Sequence, residues 1–218
     1  MIEKILGDKF EKYFDFLNEK MIQEQIVKRG VKDERVLAAM ARIKRHLFLP
    51  DALRSRAYDD YAIELYPGQT ISQPYITALM TELLRLKGGE KILEIGTGTG
   101  YQTALLAELG KEVFSIDIKK ELYELSLAGL LKAQKAAKVK LKTGDGREGW
   151  LEFSPFDRII LTCAVDDIPE ALFGQLAENG LLLAPVGAEE WQSLKIYEKA
   201  GGKVSEKAGI AVKFVRML

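Results

Sequence analysis

Histidine and cysteine are almost missing from this chain: each occurs once in 218 residues. A lone cysteine, Cys163, excludes an intrachain disulfide and fits a reducing compartment. The lone histidine, His46, is the one imidazole on offer as a general base. Its place between Arg45 and Leu47-Phe48-Leu49 suits a packed or hydrogen-bonded structural role better. An excess of charge of one sign is also missing: 32 Lys and Arg balance 32 Asp and Glu, so no broad basic surface for nucleic acid follows from composition. No apolar run approaches the ~20 residues of a membrane-spanning helix, and the acidic, aromatic N-terminus does not resemble a signal peptide. Together these absences predict a cytoplasmic protein without a nucleic-acid or membrane partner. No internal repeat or low-complexity tail is present.

The length suits one α/β domain with a small appendage. Residues 8–29 carry Phe10, Tyr13, Phe14, Leu17 and Met21 at three- and four-residue steps, which predicts a helix with one apolar stripe. Gly30 can end it and Asp33 can cap the next, whose packing face is Val36, Leu37, Met40 and Ile43. Residues 1–60 thus form a helical preface. A loop follows at 61–74, with Pro67-Gly68 at a turn, and then Ile76, Leu79, Met80 and Leu83 predict a helix starting near Pro74. Ser72 or Gln73 falls at its N-cap. Free N–H groups and the positive end of the helix dipole favour a carboxylate there, while the plainer reading is that Ser72 only caps the helix.

Lys91-Ile92-Leu93-Glu94-Ile95-Gly96-Thr97-Gly98-Thr99-Gly100-Tyr101 reads as a buried strand, a glycine turn and a helix start. Three glycines in five residues allow backbone conformations closed to residues with a Cβ and leave N–H groups open to a ligand. A dinucleotide fingerprint is G-x-G-x-x-G, but here the third glycine comes one place early and Tyr101 fills its slot. Glu94, ending the strand, would repel a pyrophosphate and suits the cationic amino group of a methionine moiety. The motif therefore favours S-adenosylmethionine over NAD. Asp117, which ends the apolar run 112–117, is placed to accept from both ribose hydroxyls, or to cap a helix beginning near Lys119. Asp145 in Gly144-Asp145-Gly146 is offered to an adenine amino group.

From Lys91 onward, strand-like and helix-like segments alternate, which predicts a doubly wound, mostly parallel Rossmann-like sheet with helices on both faces and an N-terminal helical extension. Residues 193–197 and 210–215, joined by Gly201-Gly202, form an antiparallel edge. The expected division is a preface (1–60), a substrate loop and helix (61–90) and a cofactor-binding α/β core (91–218). Asp166-Asp167 lack the third partner that a metal site needs, and Asp167 reads as a cap for the helix before Pro169. No metal is expected. Cys163 sits beside the cofactor edge and reads as a small buried residue rather than a reactive thiol.

Residues 23–218 resemble the protein-L-isoaspartate O-methyltransferase family. The most specific piece is Gly68-Gln69-Thr70-Ile71-Ser72-Gln73-Pro74, which looks like a G-Q-T-I-S signature that general methyltransferases lack. Residues 94–103, Gly144-Asp145-Gly146, Phe156-Asp157 with Leu161-Thr162, Ala184-Pro185-Val186-Gly187 and Val212-Lys213-Phe214-Val215 match in order. The resemblance implies Ser72 in the active site with Thr70 beside it. It implies a cofactor wall of Thr70, Ile71, Ser72, Glu94, Gly96, Thr97, Gly98, Gly100, Asp117, Ile118, Asp145, Gly146 and Thr162. It also implies methyl transfer from S-adenosylmethionine to isoaspartyl residues of other polypeptides, after which the ester closes to a succinimide unaided.

Departures from the family pattern fall at Glu64 and Tyr66, in place of a proline and a glycine, at Asp166-Asp167, in place of an apolar and proline-containing turn, and at Arg216, in place of a proline. The sequence stops at Leu218, where relatives continue with a tail that helps close the site. These departures bear on the substrate, not the cofactor. They motivate two alternatives: a same-fold methyltransferase with another substrate, and a cofactor-binding adaptor without transferase activity.

Overall fold

The computed structural model describes the backbone of residues 2–218 and the side chains of residues 10–218. The preface opens with α1 (Ile2–Met21), continues through a π turn (Ile22–Ile26) and a 3-10 turn (Val27–Arg29), and stops at Gly30, whose φ of +96° breaks the helix. The expected apolar stripe is only half used. Met21, Ile22 and Ile26 are buried and Phe14 and Leu17 partly so, but Phe10 and Tyr13 are exposed. The reason is geometric: contact with α2 (Glu34–Arg42) falls near the end of α1, where Asn18 Nδ2 donates to Met40 O and Ala41 O at 3.2 and 3.1 Å. Asp33 caps α2 as expected, accepting from Arg35 N and Val36 N.

The loop at 61–74 is more ordered than its composition suggested. It forms a hairpin of β1 (Ile63–Tyr66) and β2 (Gln69–Ile71) that turns at Pro67-Gly68, with Gly68 at φ +73°. Helix α3 (Pro74–Leu83) then starts with proline in its first turn.

The core alternates β3 (Lys91–Ile95), α4 (Tyr101–Leu109), β4 (Glu112–Asp117), α5 (Lys120–Lys132), β5 (Val139–Thr143), β6 (Phe156–Leu161), α6 (Glu170–Gln175) and β7 (Leu176–Ala188), and closes with β8 (Trp191–Ala200) and β9 (Lys203–Val212). The sheet order is β5-β4-β3-β6-β7-β8-β9. The first five neighbours are parallel, and β8 runs antiparallel to both β7 and β9. The antiparallel edge was foreseen, but its last strand ends at Val212, so Phe214 and Val215 lie outside it. Because β3 pairs with β4 on one side and β6 on the other, successive crossovers leave in opposite directions and open a crevice at the C-terminal strand ends.

Strand alternation splits the core. Ile92 packs with the preface and α4 on one face, while Leu93 and Ile95 pack with Phe114, Ile116, Ile159 and Leu161 on the other. The preface is locked onto α5 through Phe48, fully buried 2.6 Å from where a Cβ on Gly129 would lie. Alanine at 129 would gain about 1 kcal/mol of helix propensity against about 1–3 kcal/mol of overpacking. Gly129→Ala is therefore expected to be neutral to destabilising by about 2 kcal/mol, read as a lower urea midpoint.

Candidate active site

Four strand ends supply one cavity of about 870 Å³, its open mouth included. After β3 the backbone turns at Gly96, Gly98 and Gly100 with φ of +97°, +54° and +85°, the left-handed region that glycine alone enters freely. A Cβ at Gly96 would collide with Thr162 Oγ1 from the end of β6. After β4, Asp117 Oδ2 accepts from Gly98 N at 2.8 Å and Oδ1 from Lys119 N at 2.9 Å, so this carboxylate braces the glycine turn and the entry to α5 together. After β5, Gly144 N donates to Asp117 O at 2.9 Å, and Gly146 packs on Ile95 with no room for a side chain.

The hairpin contributes to the same cavity. Gln69, Thr70, Ile71 and Ser72 line it together with Gly96, Thr97, Gly98, Asp117, Ile118, Gly146 and Thr162. Three residues of the expected wall are not at the surface of the cavity. Gly100 sits at the N-cap of α4, where its role is the turn. Asp145 is turned to its own 3-10 turn, accepting from Arg147 N at 2.9 Å and pairing with Arg147 Nη1 at 3.0 Å. Glu94 shares the Ile92 face of β3, beneath α4, because side chains alternate along a strand.

Glu94 is fully buried there, with Oε2 accepting from Thr103 Oγ1 and Ser115 Oγ and Oε1 unpartnered among the described residues. Burial pushes its carboxyl up to about 8, against the lowering effect of the two hydroxyls.

Of the two expected N-cap candidates for α3, Gln73 holds the position, whereas the N-cap of α6 is Pro169; neither helix has a side-chain cap, so Ser72 and Asp167 are not caps. Gln73 reaches back instead, its Nε2 donating to Asp60 O and Oδ1 at 3.0 and 2.9 Å. Ser72 itself lies at the cavity wall. Glu64 and Tyr66 do not line the cavity and are exposed, so the altered residues of β1 point away from it. His46 is buried against Phe14 (ring centroids 4.1 Å), with Nδ1 2.7 Å from Tyr58 Oη; burial lowers its pKa to about 4, so it is neutral and structural. Cys163 lines the cavity half-buried, and burial pushes its thiol up to about 12. Among the described residues no group of three His, Cys, Asp or Glu is placed to hold a metal ion.

Sequence reasoning missed Arg45. Its guanidinium is wholly buried, donating to Ala57 O at 2.7 Å and Ser72 O at 2.6 Å while lying 5.0 Å from the centre of the Tyr101 ring. One side chain thus ties the preface, the hairpin exit and the start of α4 together. No local signal marked it, since Arg45 stands between Lys44 and His46 in a basic stretch. Also missed was the stretch Val215–Leu218, which lines the cavity from beyond β9.

A family model described as Protein-L-isoaspartate(D-aspartate) O-methyltransferase (PCMT) matches residues 16–218. The chain belongs to this family. It is 47% identical over 198 residues to the protein-L-isoaspartate O-methyltransferase of Opitutus terrae, covering 90% of this chain and 84% of that one. The Dictyoglomus turgidum protein of the same name is 47% identical over 197 residues, covering 90% and 89%. A solved protein-L-isoaspartate O-methyltransferase superposes with a TM-score of 0.82 at 30% identity, over 91% of this chain and 65% of that one. A Plasmodium falciparum structure in complex with S-adenosyl-L-homocysteine superposes at 0.80 with 24% identity, over 94% and 97%, and speaks to the fold alone.

The raised Glu94 pKa has a consequence for stability. Its unfolded value is near 4.5, so the favourable contribution is full below that pH, declines as pH rises and is lost above about 8. Without cofactor, the urea midpoint of the wild-type protein is expected to fall between pH 5 and 8, and Glu94→Gln to flatten that fall. Equal slopes in the two proteins would show that Glu94 is not the group responsible.

Proposed function

We propose that this chain methylates the free α-carboxylate of L-isoaspartyl residues in damaged proteins, using S-adenosylmethionine, and so starts their repair through a succinimide. The observation that carries this reading is that Thr70, Ile71 and Ser72 line the same cavity as the glycine turn. A substrate-facing wall and a cofactor-facing wall then meet where transfer has to occur. The division into preface, substrate loop and helix (61–90) and cofactor core (91–218) follows from the same placement.

The site suits the cofactor on its own evidence. Gly98 has open space where a Cβ would point, and Asp117 offers a carboxylate at the neighbouring strand end. Asp117 would hold the ribose hydroxyls, Ile118 and Gly146 the adenine, and Gly96, Thr97, Gly98 and Thr162 the methionine end. Glu94, behind the turn and held by Thr103 and Ser115, would brace the turn beneath the amino group and not contact it. Asp145 would reach the adenine only by leaving Arg147. S-adenosylmethionine supplies the methyl group on a sulfonium.

The chain's own task is positioning. An isoaspartyl carboxylate, with a reference pKa of about 4, is ionised at neutral pH and needs no general base, which suits a site whose one histidine is buried elsewhere. Ser72 and Thr70 would orient the carboxylate by hydrogen bonding, so that the attacking oxygen is held in line. No helix is long and apolar enough to cross a membrane among the described residues. The single cysteine supports a cytoplasmic setting, with flexible isoaspartyl polypeptides as partners.

The test is methyl transfer from labelled S-adenosylmethionine to an isoaspartyl peptide beside its normal aspartyl twin. Label is expected on the isoaspartyl peptide alone, and Ser72→Ala is expected to lower kcat about tenfold or more. Cofactor binding by calorimetry with no label on either peptide would instead point to a different substrate or a binding role.

A further inference from the structure

Two of the departures from the family pattern, Asp166 and Arg216, are far apart in sequence and joined in the fold. Arg216 Nη2 lies 2.6 Å from Asp166 Oδ2, and Nη1 donates to Gly187 O at 2.6 Å. The backbone around Arg216 is held as well: Ala164 N donates to Val215 O at 2.8 Å and Met217 N to Ala164 O at 2.9 Å. Arg216 also lines the cavity. Among the described lining residues it is the only Lys or Arg, and the single acid, Asp117, is engaged with Gly98 N and Lys119 N. The two ends of the pair are unequal: Arg216 is two-thirds buried, with 32% side-chain exposure, whereas Asp166 stands 72% exposed. An ion pair with so wet a partner contributes little and is readily exchanged.

The proposed reaction changes charge at this point. A carboxylate oxygen forms a bond to the methyl carbon as the carbon–sulfur bond breaks and its electron pair stays on sulfur. The anion becomes a neutral ester, the sulfonium a neutral thioether, and no proton moves. A cation at the cavity wall therefore distinguishes substrate from product.

We infer that Arg216 is a specificity-determining residue for this reaction: it captures the isoaspartyl carboxylate in exchange for Asp166, and Asp166 reclaims it once methylation has removed the charge. The inference rests on the function proposed above. A guanidinium held to one carboxylate oxygen leaves the other free to attack, and its planar fork fixes the plane of the acceptor. Asp166 acts as an internal competitor that weakens substrate binding and speeds departure of the ester.

The test measures binding of a fluorescent isoaspartyl peptide by anisotropy in the presence of S-adenosylhomocysteine, alongside steady-state KM for the same peptide. Arg216→Gln is expected to raise both Kd and KM about tenfold, and Arg216→Lys to recover most of that loss. Asp166→Asn is expected to lower both about threefold, an effect that vanishes in the Arg216→Gln background because the two residues act as one pair. A peptide with the α-carboxylate replaced by carboxamide should bind wild type about as weakly as the acid binds Arg216→Gln. Calorimetry should find S-adenosylhomocysteine affinity within about twofold of wild type in each variant, which separates peptide capture from general damage to the site.

Peptide affinity within twofold of wild type in Arg216→Gln overturns the inference. So does an Asp166→Asn effect that persists without Arg216, or a loss of S-adenosylhomocysteine affinity in step with that of peptide. A wild-type chain that methylates no isoaspartyl peptide overturns the function and this inference together; an active wild type with any of the other results overturns the inference alone.

Discussion

The backbone must pass from a buried central strand into a buried helix within five residues, and the rest of the molecule is arranged around that reversal. Gly96, Gly98 and Gly100 all take positive φ, Thr162 fills the space a side chain at Gly96 would need, and Asp117 fastens Gly98 N from the next strand. The reversal lies where the sheet changes its direction of winding, so the strand ends of β3, β4, β5 and β6 all face it. A tight turn elsewhere in the sheet would have no such company.

The preface is what turns a cofactor fold into a two-walled site. Residues 34–42 cover α4, Phe48 fits over Gly129 of α5, and the Arg45 guanidinium bonds the carbonyl of Ser72. A buried cation is costly unless its donors are satisfied; here two backbone carbonyls and an aromatic face meet it, while Nη1 has no hydrogen-bond partner among the described residues. One of those partners, Ser72 O, lies just after the hairpin and another, the Tyr101 ring, opens α4, so the contacts that make Arg45 tolerable also tie these two cavity-lining segments to the preface.

Charge in the site is sparse and divided. Glu94 is hidden under α4, Asp117 is committed to backbone N–H groups, and Arg216 is the one cation on the wall among the described residues. Such a site is suited to a reaction whose acceptor arrives already ionised. The near absence of histidine, which at first reading only excluded functions, is consistent with chemistry that asks for alignment and not for proton transfer.

Much of the fold was legible because the relevant forces act between neighbours in the chain. Gly30 and Asp33 end and start helices through their own backbone and side chain, Pro74 opens α3, and the glycine spacing announces the turn. Alternation of strand and helix likewise told of a parallel sheet, and the G-Q-T-I-S segment of its family. What could not be read locally was which side chains meet. Glu94 was expected toward the ligand, but strand alternation in the assembled sheet turns it beneath α4. Ser72 was weighed as a cap, but Gln73 takes the N-cap position while its side chain is drawn to Asp60. Phe10 and Tyr13 carry helical spacing yet meet no partner that buries them among the described residues. Arg45, and the pairing of Asp166 with Arg216, exist only once segments remote in sequence are packed together. The sequence by itself determined where the backbone turns and which faces are apolar; tertiary packing decided which polar groups face the cavity, because that depends on distances between segments that local preference does not set.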